Sequence, residues 1–322
     1  MSVMRIGVLT SGGDTPGMNA AIRAVVRRGL SFGDVVLGVY HGYEGLMDGR
    51  VKQLQSSDVH GIIQRGGTIL RTARSEVFRT PEGQAKAMQL MAAYEMDALI
   101  VIGGDGSFHG AQALAELGMN VMGIPGTIDN DMGYTDFTIG FTTAVNTITD
   151  EIYKIRDTMR AHDRVGVVEV MGRNCGDIAL WSGVAGGADM IIVPEVPVDW
   201  EDCAKQLVKN KLRGQLTSIV IIAEGAGRAE DFARFVNEHT DVEAKAIVPG
   251  YIQRGGNPTA FDRVLAARLG QRAVELLADD IGGRAVGIKD NKIIDVSIEE
   301  AVEMPDHFDE KLFRFNSVLA RF

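Results

Sequence analysis

Asp105 and Asp129 stand in two short runs whose residue types can move a phosphoryl group. Gly103-Gly104-Asp105-Gly106-Ser107 follows the apolar stretch Ala98–Ile102, and Pro125-Gly126-Thr127-Ile128-Asp129-Asn130-Asp131 follows Val121–Ile124. Glycines at a strand's end let backbone N–H groups approach phosphate oxygens closely. A carboxylate among them, here Asp105, can hold Mg²⁺. Two carboxylates around an Asn, beside the hydroxyl of Thr127, suit proton abstraction from an alcohol, with Asp129 as the base. Asp131, two residues on, is expected to raise the basicity of Asp129 by like-charge repulsion. The first run also has a plainer reading, a tight turn with Asp105 as a helix cap.

A third run, Ser11-Gly12-Gly13-Asp14-Thr15-Pro16-Gly17-Met18-Asn19, joins a strand to a helix. It places free N–H groups and a helix N-terminus at one point, which suits an anion or simply makes a turn. Arginines supply positive charge: Arg23 and Arg27 share a helix face, and Arg74, Arg164, Arg173 and Arg254 lie near glycines or strand ends.

The elements that must position these groups alternate along the chain. Strands are expected at Arg5–Thr10, Val35–Val39, Ala98–Ile102, Val121–Ile124, Arg164–Val170, Met190–Val193 and Ser218–Ala223. Helices are expected at Gly17–Leu30, Glu82–Tyr94, His109–Leu117, Thr142–Met159, Asp177–Ala185, Trp200–Lys211, Ala229–Glu238 and Arg263–Leu277. This order predicts an α/β fold of two Rossmann-like, doubly wound domains with mainly parallel sheets and a cleft between them. The halves are faintly alike, as in Arg5-Ile-Gly-Val-Leu against Arg164-Val-Gly-Val-Val. Duplication and the general likeness of buried strands both account for that.

Composition narrows the field. The net charge of −10 argues against a nucleic-acid binder. The 39 glycines in 322 residues exceed the typical ~7% and cluster at strand ends, not in linkers. Two cysteines, Cys175 and Cys203, make no disulfide framework or metal spacing and fit a reducing, cytoplasmic setting. No signal peptide is read at the start, and no run approaches the ~20 apolar residues of a membrane helix.

Seven ordered motifs then carry a resemblance: SGGDTPGMNA at 11–20, QRGGTIL at 64–70, GGDGS at 103–107, PGTIDND at 125–131, VMGRNCGD at 170–177, PE at 194–195 and QRGG at 253–256. Over about residues 1–300 the chain resembles the bacterial ATP-dependent 6-phosphofructokinases. The resemblance implies a Mg²⁺–ATP kinase acting on the 1-hydroxyl of fructose 6-phosphate, as a homotetramer with active sites shared between subunits. It implies an ATP-binding domain of 1–140 plus about 252–302, and a sugar-phosphate domain of 141–251 plus the C-terminal tail. Gly13, Tyr43, Arg74, Ser75, Gly104, Asp105, Gly106 and Ser107 would contact ATP, with Asp105 on the metal. Asp129 would take the sugar proton, Thr127 and Arg173 would stabilise the transferring group, and Asp131 would support the loop. Ile128, Met171, Gly172, Glu224, Lys245, Tyr251 and Arg254 would hold the sugar phosphate, with Arg164 reaching in from a neighbouring subunit. Rival readings are a pyrophosphate-dependent enzyme and a catalytically silent nucleotide sensor. Against the former, Gly106 and Gly126 are small where pyrophosphate users carry Asp and Lys.

The departures lie in the anion pockets. Lys245 and Tyr251 stand where the family usually has Arg and His, which implies weaker sugar-phosphate capture. Arg23, Arg27, Arg156, Gly187, Asp189 and Arg213 match the family's effector site. Ser56, Gln215 and Leu216 replace common basic residues there, and Asp189 replaces a Glu.

Overall fold

A computed structural model describes residues 3–320. Its strands are β1 (Arg5–Thr10), β2 (Val35–Val39), β3 (Val51–Gln53), β4 (Ala98–Gly103), β5 (Asn120–Thr127), β6 (Ile139–Gly140), β7 (Val165–Val170), β8 (Met190–Ile192), β9 (Ser218–Ala223), β10 (Ala244–Ile247), β11 (Arg284–Lys289) and β12 (Lys292–Ser297). The chain divides into two units. The first takes the described part of Met1–Ile128, with Met132–Thr143 and Arg254–Asp306. The second takes Asp129–Asp131, Ala144–Gln253 and the described part of His307–Phe322.

The first unit holds an eight-stranded sheet in the order β12-β11-β5-β4-β1-β2-β3, with β6 paired to β5. Its strands run parallel except at the two edges, where β3 lies antiparallel to β2 and β12 to β11. Strand side chains alternate between faces, so each face has its own core. Ile6, Val8 and Ile100 join Ile22, Val25, Leu265 and Leu269 from helices Met18–Phe32 and Ala260–Ala278. Leu9, Leu99 and Val101 join Phe108, Leu114 and Met91 on the other face. Gly270 lets the two helices of the first face approach, since a β-carbon there would lie 2.7 Å from Cβ of Ala24.

The second unit holds four parallel strands in the order β10-β7-β9-β8. Val167, Val220 and Ile222 pack with Leu207, Phe232 and Val236 from helices Trp200–Leu212 and Ala229–His239. The mainly parallel α/β architecture expected from the sequence is present.

Two boundaries differ in ways that matter for chemistry. The helix expected from His109 begins at Asp105, so the Gly-Gly-Asp-Gly-Ser run supplies the helix's own first turn. The strand expected to end at Ile124 continues through Pro125 and Gly126 to Thr127. Pro125 is tolerated because its partner in register is Gly103, the last residue of β4.

Candidate active site

In the first unit, β5, β4 and β1 are neighbours and parallel, so their C-terminal ends deliver three glycine-rich segments to one end of the sheet. Ser11 N donates to the Ile102 carbonyl at 3.0 Å, tying the first two segments together. Gly103 has no room for a side chain because a β-carbon would overlap the Ser107 hydroxyl. Gly104 caps helix Asp105–Glu116 and lies against Thr127, whose Cβ is 3.1 Å from where a methyl on Gly104 would be. The half-exposed Asp105 carboxylate has His109 Nε2 at 3.5 Å. Free N–H groups of a helix's first turn, with a carboxylate beside them, form a phosphate and cation cradle.

Gly106 is the informative glycine. A β-carbon there would meet nothing within 4 Å, and its backbone needs no left-handed conformation. Glycine in a helix costs about 1 kcal/mol against alanine, so no internal packing explains its choice. Gly126 is different: a β-carbon would sit 3.1 Å from Ile102 and 3.4 Å from Met18. Part of its smallness is thus explained by packing against two core side chains, so it speaks less directly for the phosphoryl donor than Gly106 does.

Tyr43 is buried, stacked on Phe78 with ring centroids 3.9 Å apart, and its hydroxyl donates to the Ser107 carbonyl at 2.7 Å. Burial pushes its pKa well up. Tyr43 therefore supports the helix start from behind. Ser75 Oγ accepts from Phe78 N at 3.2 Å, Thr72 Oγ1 donates to Gly12 O at 2.7 Å, and Arg74 is exposed between them. Arg254 belongs to this unit, and its guanidinium lies against Gly13, where a side chain would overlap it.

In the second unit, Asp129 is only 2% exposed. Arg173 Nε lies 3.4 Å from Asp129 Oδ2, and Arg173 Nη1 lies 4.0 Å from Asp131 Oδ2. One guanidinium thus faces both carboxylates, which opposes the expected like-charge repulsion. Asn130 and Arg173 both have left-handed backbones, φ 58° and 54°. Such conformations are uncommon outside glycine and persist where surroundings hold them. Here Asn130 Nδ2 donates to Asp177 Oδ2 at 2.8 Å, at the start of helix Asp177–Gly186. Glu224 Oε1 accepts from Gly172 N at 3.1 Å and Arg173 N at 2.8 Å. Met171 N donates to Oε1 of the buried Gln253 at 2.9 Å.

Arg164 and Lys245 meet on one carboxylate: Arg164 Nε and Lys245 Nζ lie 2.9 and 3.0 Å from Glu243 Oε1. Hydrogen bonds from Arg164 and then Lys245 push the Glu243 pKa down. Tyr251 is 84% exposed on the short turn Gly250–Arg254. Ile128 is fully buried and presents no surface to a ligand, so its expected place among the sugar-phosphate contacts is corrected.

The six effector residues fall into two sets. Arg23 and Arg27 are in the first unit, where desolvation and then Arg27 lower the pKa of Arg23. Arg156, Gly187, Asp189 and Arg213 are in the second. Arg156 Nη2 donates to the carbonyls of Gly186 and Gly187, both at 2.6 Å, and Arg213 is exposed. Asp189 accepts from Gln215 Nε2 at 2.5 Å and Ile219 N at 2.7 Å, while burial pushes its pKa up. Gly187, Asp189 and Gln215 line an open cavity of about 180 Å³ together with Asn316, Leu319 and Ala320.

Sequence reasoning missed the supporting residues. Glu243 belongs to no motif, and Gln253 and Asn19, although they stand in QRGG and SGGDTPGMNA, were given no role of their own. Asn19 is buried, donating to the carbonyls of Arg65 and Gly66 and accepting from Ile69 N. The paired QRGG motifs offered one signal: Gly66 packs against the backbone of Gly256, which only glycine permits. Among the described residues no helix is long and apolar enough to cross a membrane.

Residues 5–277 match the family model for phosphofructokinase. The chain is 56% identical over 316 residues to an ATP-dependent 6-phosphofructokinase of Clostridium tetani, covering 98% of this chain and 99% of that protein. A solved phosphofructokinase from Saccharomyces cerevisiae superposes with a TM-score of 0.86 at 35% identity, over 99% of this chain and 48% of the yeast chain. A pyrophosphate-dependent phosphofructokinase from Marinobacter aquaeolei shares the fold, with a TM-score of 0.88 at 21% identity over 98% and 88% of the two chains. The motifs, the two sheets and these likenesses agree, and the chain belongs to the phosphofructokinase family.

Proposed function

We propose that this chain is an ATP-dependent 6-phosphofructokinase. It transfers the γ-phosphoryl group of ATP to the 1-hydroxyl of fructose 6-phosphate, giving fructose 1,6-bisphosphate and ADP. Family membership and identity to the clostridial enzyme support the reaction. The residue roles rest chiefly on one observation, the buried Asp129 carboxylate 3.4 Å from Arg173.

In this reading Asp129 accepts the hydroxyl proton as the oxygen attacks. Arg173 then exchanges its carboxylate partners for the transferring phosphoryl oxygens, so charge is neutralised where it develops. Amides of Gly104, Asp105 and Gly106, at a helix N-terminus, hold ATP phosphates with Ser107, Gly13, Arg74 and Ser75, and Thr127 meets the transferring group. Tyr43 acts from behind as a support. Asp105 fits Mg²⁺, a cation that takes one or two protein carboxylates and keeps phosphate and water oxygens for the rest. Bound there, Mg²⁺ supplies positive charge to the donor phosphates. Met171, Gly172, Glu224, Lys245, Tyr251 and Arg254 hold the sugar phosphate, with Arg164 contributed by a neighbouring subunit. The first unit is then the ATP-binding domain and the second the sugar-phosphate domain, assembled as a cytoplasmic homotetramer.

A coupled assay with fructose 6-phosphate tests this. Turnover is expected with ATP. Turnover with pyrophosphate alone would overturn the donor assignment, and none with either would make the chain a silent nucleotide sensor. Sedimentation analysis tests the tetramer, and a monomer would remove the shared site.

A further inference from the structure

Asp262 belongs to none of the motifs, yet it is wholly buried in the first turn of helix Ala260–Ala278. Five donors converge on its carboxylate. Gly140 N donates to Oδ1 at 3.0 Å. On Oδ2, Thr143 N, Thr143 Oγ1 and Thr142 Oγ1 lie at 2.9, 2.5 and 2.9 Å, and Thr259 Oγ1 at 3.3 Å. The helix gains little from this, because Thr259 already caps it by accepting from Asp262 N. Burying the carboxylate also carries a desolvation cost, which its hydrogen bonds offset. The carboxylate instead fixes the backbone of Gly140–Thr143.

That backbone leads to the reaction site in one step. Gly140 ends β6, and β6 pairs in parallel with the end of β5, Ile139 opposite Gly126 and Gly140 opposite Thr127. Thr138 Oγ1 donates to the Thr127 carbonyl at 2.7 Å. Thr15 Oγ1, from the first glycine-rich segment, donates to the Ile139 carbonyl at 3.1 Å. Gly140 has φ 104°, and a side chain there would overlap the Thr15 hydroxyl. A two-residue strand cannot hold its own position. All these residues lie in the first unit.

We infer that Asp262 is a positioning residue for phosphoryl transfer: it anchors β6, and β6 sets where Thr127 is presented. The inference rests on the kinase reading above and names a residue that acts through Thr127 without touching substrate. Misplacing a group near the reacting atoms by about 1 Å can cost ~10²-fold in rate.

The test is a double-mutant cycle with steady-state kinetics and amide hydrogen exchange. Asp262→Asn is expected to lower kcat about 10- to 100-fold, with KM for ATP and fructose 6-phosphate within about threefold. Thr143→Val, which keeps the shape but removes one donor to Asp262 and the acceptor of Thr259 N, should shift kcat the same way by less. In a Thr127→Ala background, Asp262→Asn should cost less than about threefold more. Amides of 126–128 and 139–143 should exchange faster in both single variants. Unchanged kcat in folded Thr143→Val and Asp262→Asn, or an equal fold-loss in both backgrounds, would overturn the inference. If Asp262→Asn does not fold, Thr143→Val alone carries the cycle, and the same two results overturn the inference. Wild-type enzyme in the same assay separates the cases: inactive wild type defeats the kinase reading, whereas active wild type with indifferent variants defeats only this one.

Discussion

The segment around Asp129 and the cations around Glu243 belong to the same unit but are built in opposite ways. Asp129 is buried, its neighbour Asn130 has a left-handed backbone, and Asp177 and Glu224 hold the flanking chain through hydrogen bonds. Arg164 and Lys245 instead share one exposed carboxylate at a sheet edge. Groups that must meet a reacting atom are fixed by internal bonds, which removes reorganisation from the chemical step. In the proposed sugar-phosphate role, Arg164 and Lys245 are paired with a carboxylate that an anion can replace, because exposed ion pairs are worth only about 0–1 kcal/mol.

The sharpest way to break that contrast is at its rigid end. Asp129→Asn keeps the size and removes the proposed base. It is expected to lower kcat by roughly 10²–10⁴ or more, with a smaller change in KM for either substrate. A near-native kcat would show that the buried carboxylate is structural and that the rigid segment serves something else.

Gly106 sharpens the comparison from the donor side. A side chain there would enter open space, so an Asp folds without strain but places a carboxylate where donor phosphates would lie. Two unit charges ~5 Å apart at an effective dielectric of ~20 repel by about 3 kcal/mol, so kcat/KM for ATP should fall roughly 10²-fold. Gly106→Ala is the control and should be nearly silent. Loss in both variants would mean that the helix start tolerates no side chain for reasons of shape alone.

How far each region could be read from the sequence follows the same division. Buried strands such as Ala98–Gly103 announce themselves by unbroken apolar runs, and the loops after them by glycine and aspartate. The half-exposed edge strand β10 does not, nor does the hairpin of β11 and β12, whose turn is marked only by Asp290 and Asn291 at positive φ. Two glycines disguised the first turn of helix Asp105–Glu116 as loop. The residues proposed to react were legible because chemistry restricts their type. Their supports were not: Asp262 meets Thr143 across 119 residues and Asn19 meets Ile69 across 50, and no local pattern records such a partner.

The loosely held cations predict a milder response. Lys245 gives a point charge where a guanidinium would grip two oxygens, and Tyr251 stands exposed on its turn. Changing them to Arg and His together should lower KM for fructose 6-phosphate by about 3- to 10-fold, with kcat little changed, as expected for uniform binding. An unchanged or raised KM would show that the pocket has settled around its own residues, with Glu243 already satisfied by the lysine.

The smallest effect is expected at the cavity beside Asp189. In this chain the Asp189 carboxylate takes its hydrogen bonds from Gln215 and from the Ile219 amide, both internal groups. Gln215 brings no charge, and Leu216 beside it is 46% exposed and apolar. Ser56 likewise brings none. A diphosphate or phospho-carboxylate binding beside Gly187 would find Arg156 already spent on two backbone carbonyls. Each missing charge-assisted contact is worth about 1.5–3 kcal/mol, comparable with a whole allosteric coupling of ~1–3 kcal/mol. ADP and phosphoenolpyruvate should therefore shift the half-saturation for fructose 6-phosphate by less than about threefold, read from initial rates at fixed Mg²⁺–ATP. Changing Gln215 and Leu216 to Lys together should enlarge that shift, because it adds one charge at the cavity and one beside it. A large response in the wild type at sub-millimolar effector would place the compensating charge elsewhere. The division between fixed and loosely held groups would then hold for catalysis and sugar-phosphate capture but not for control.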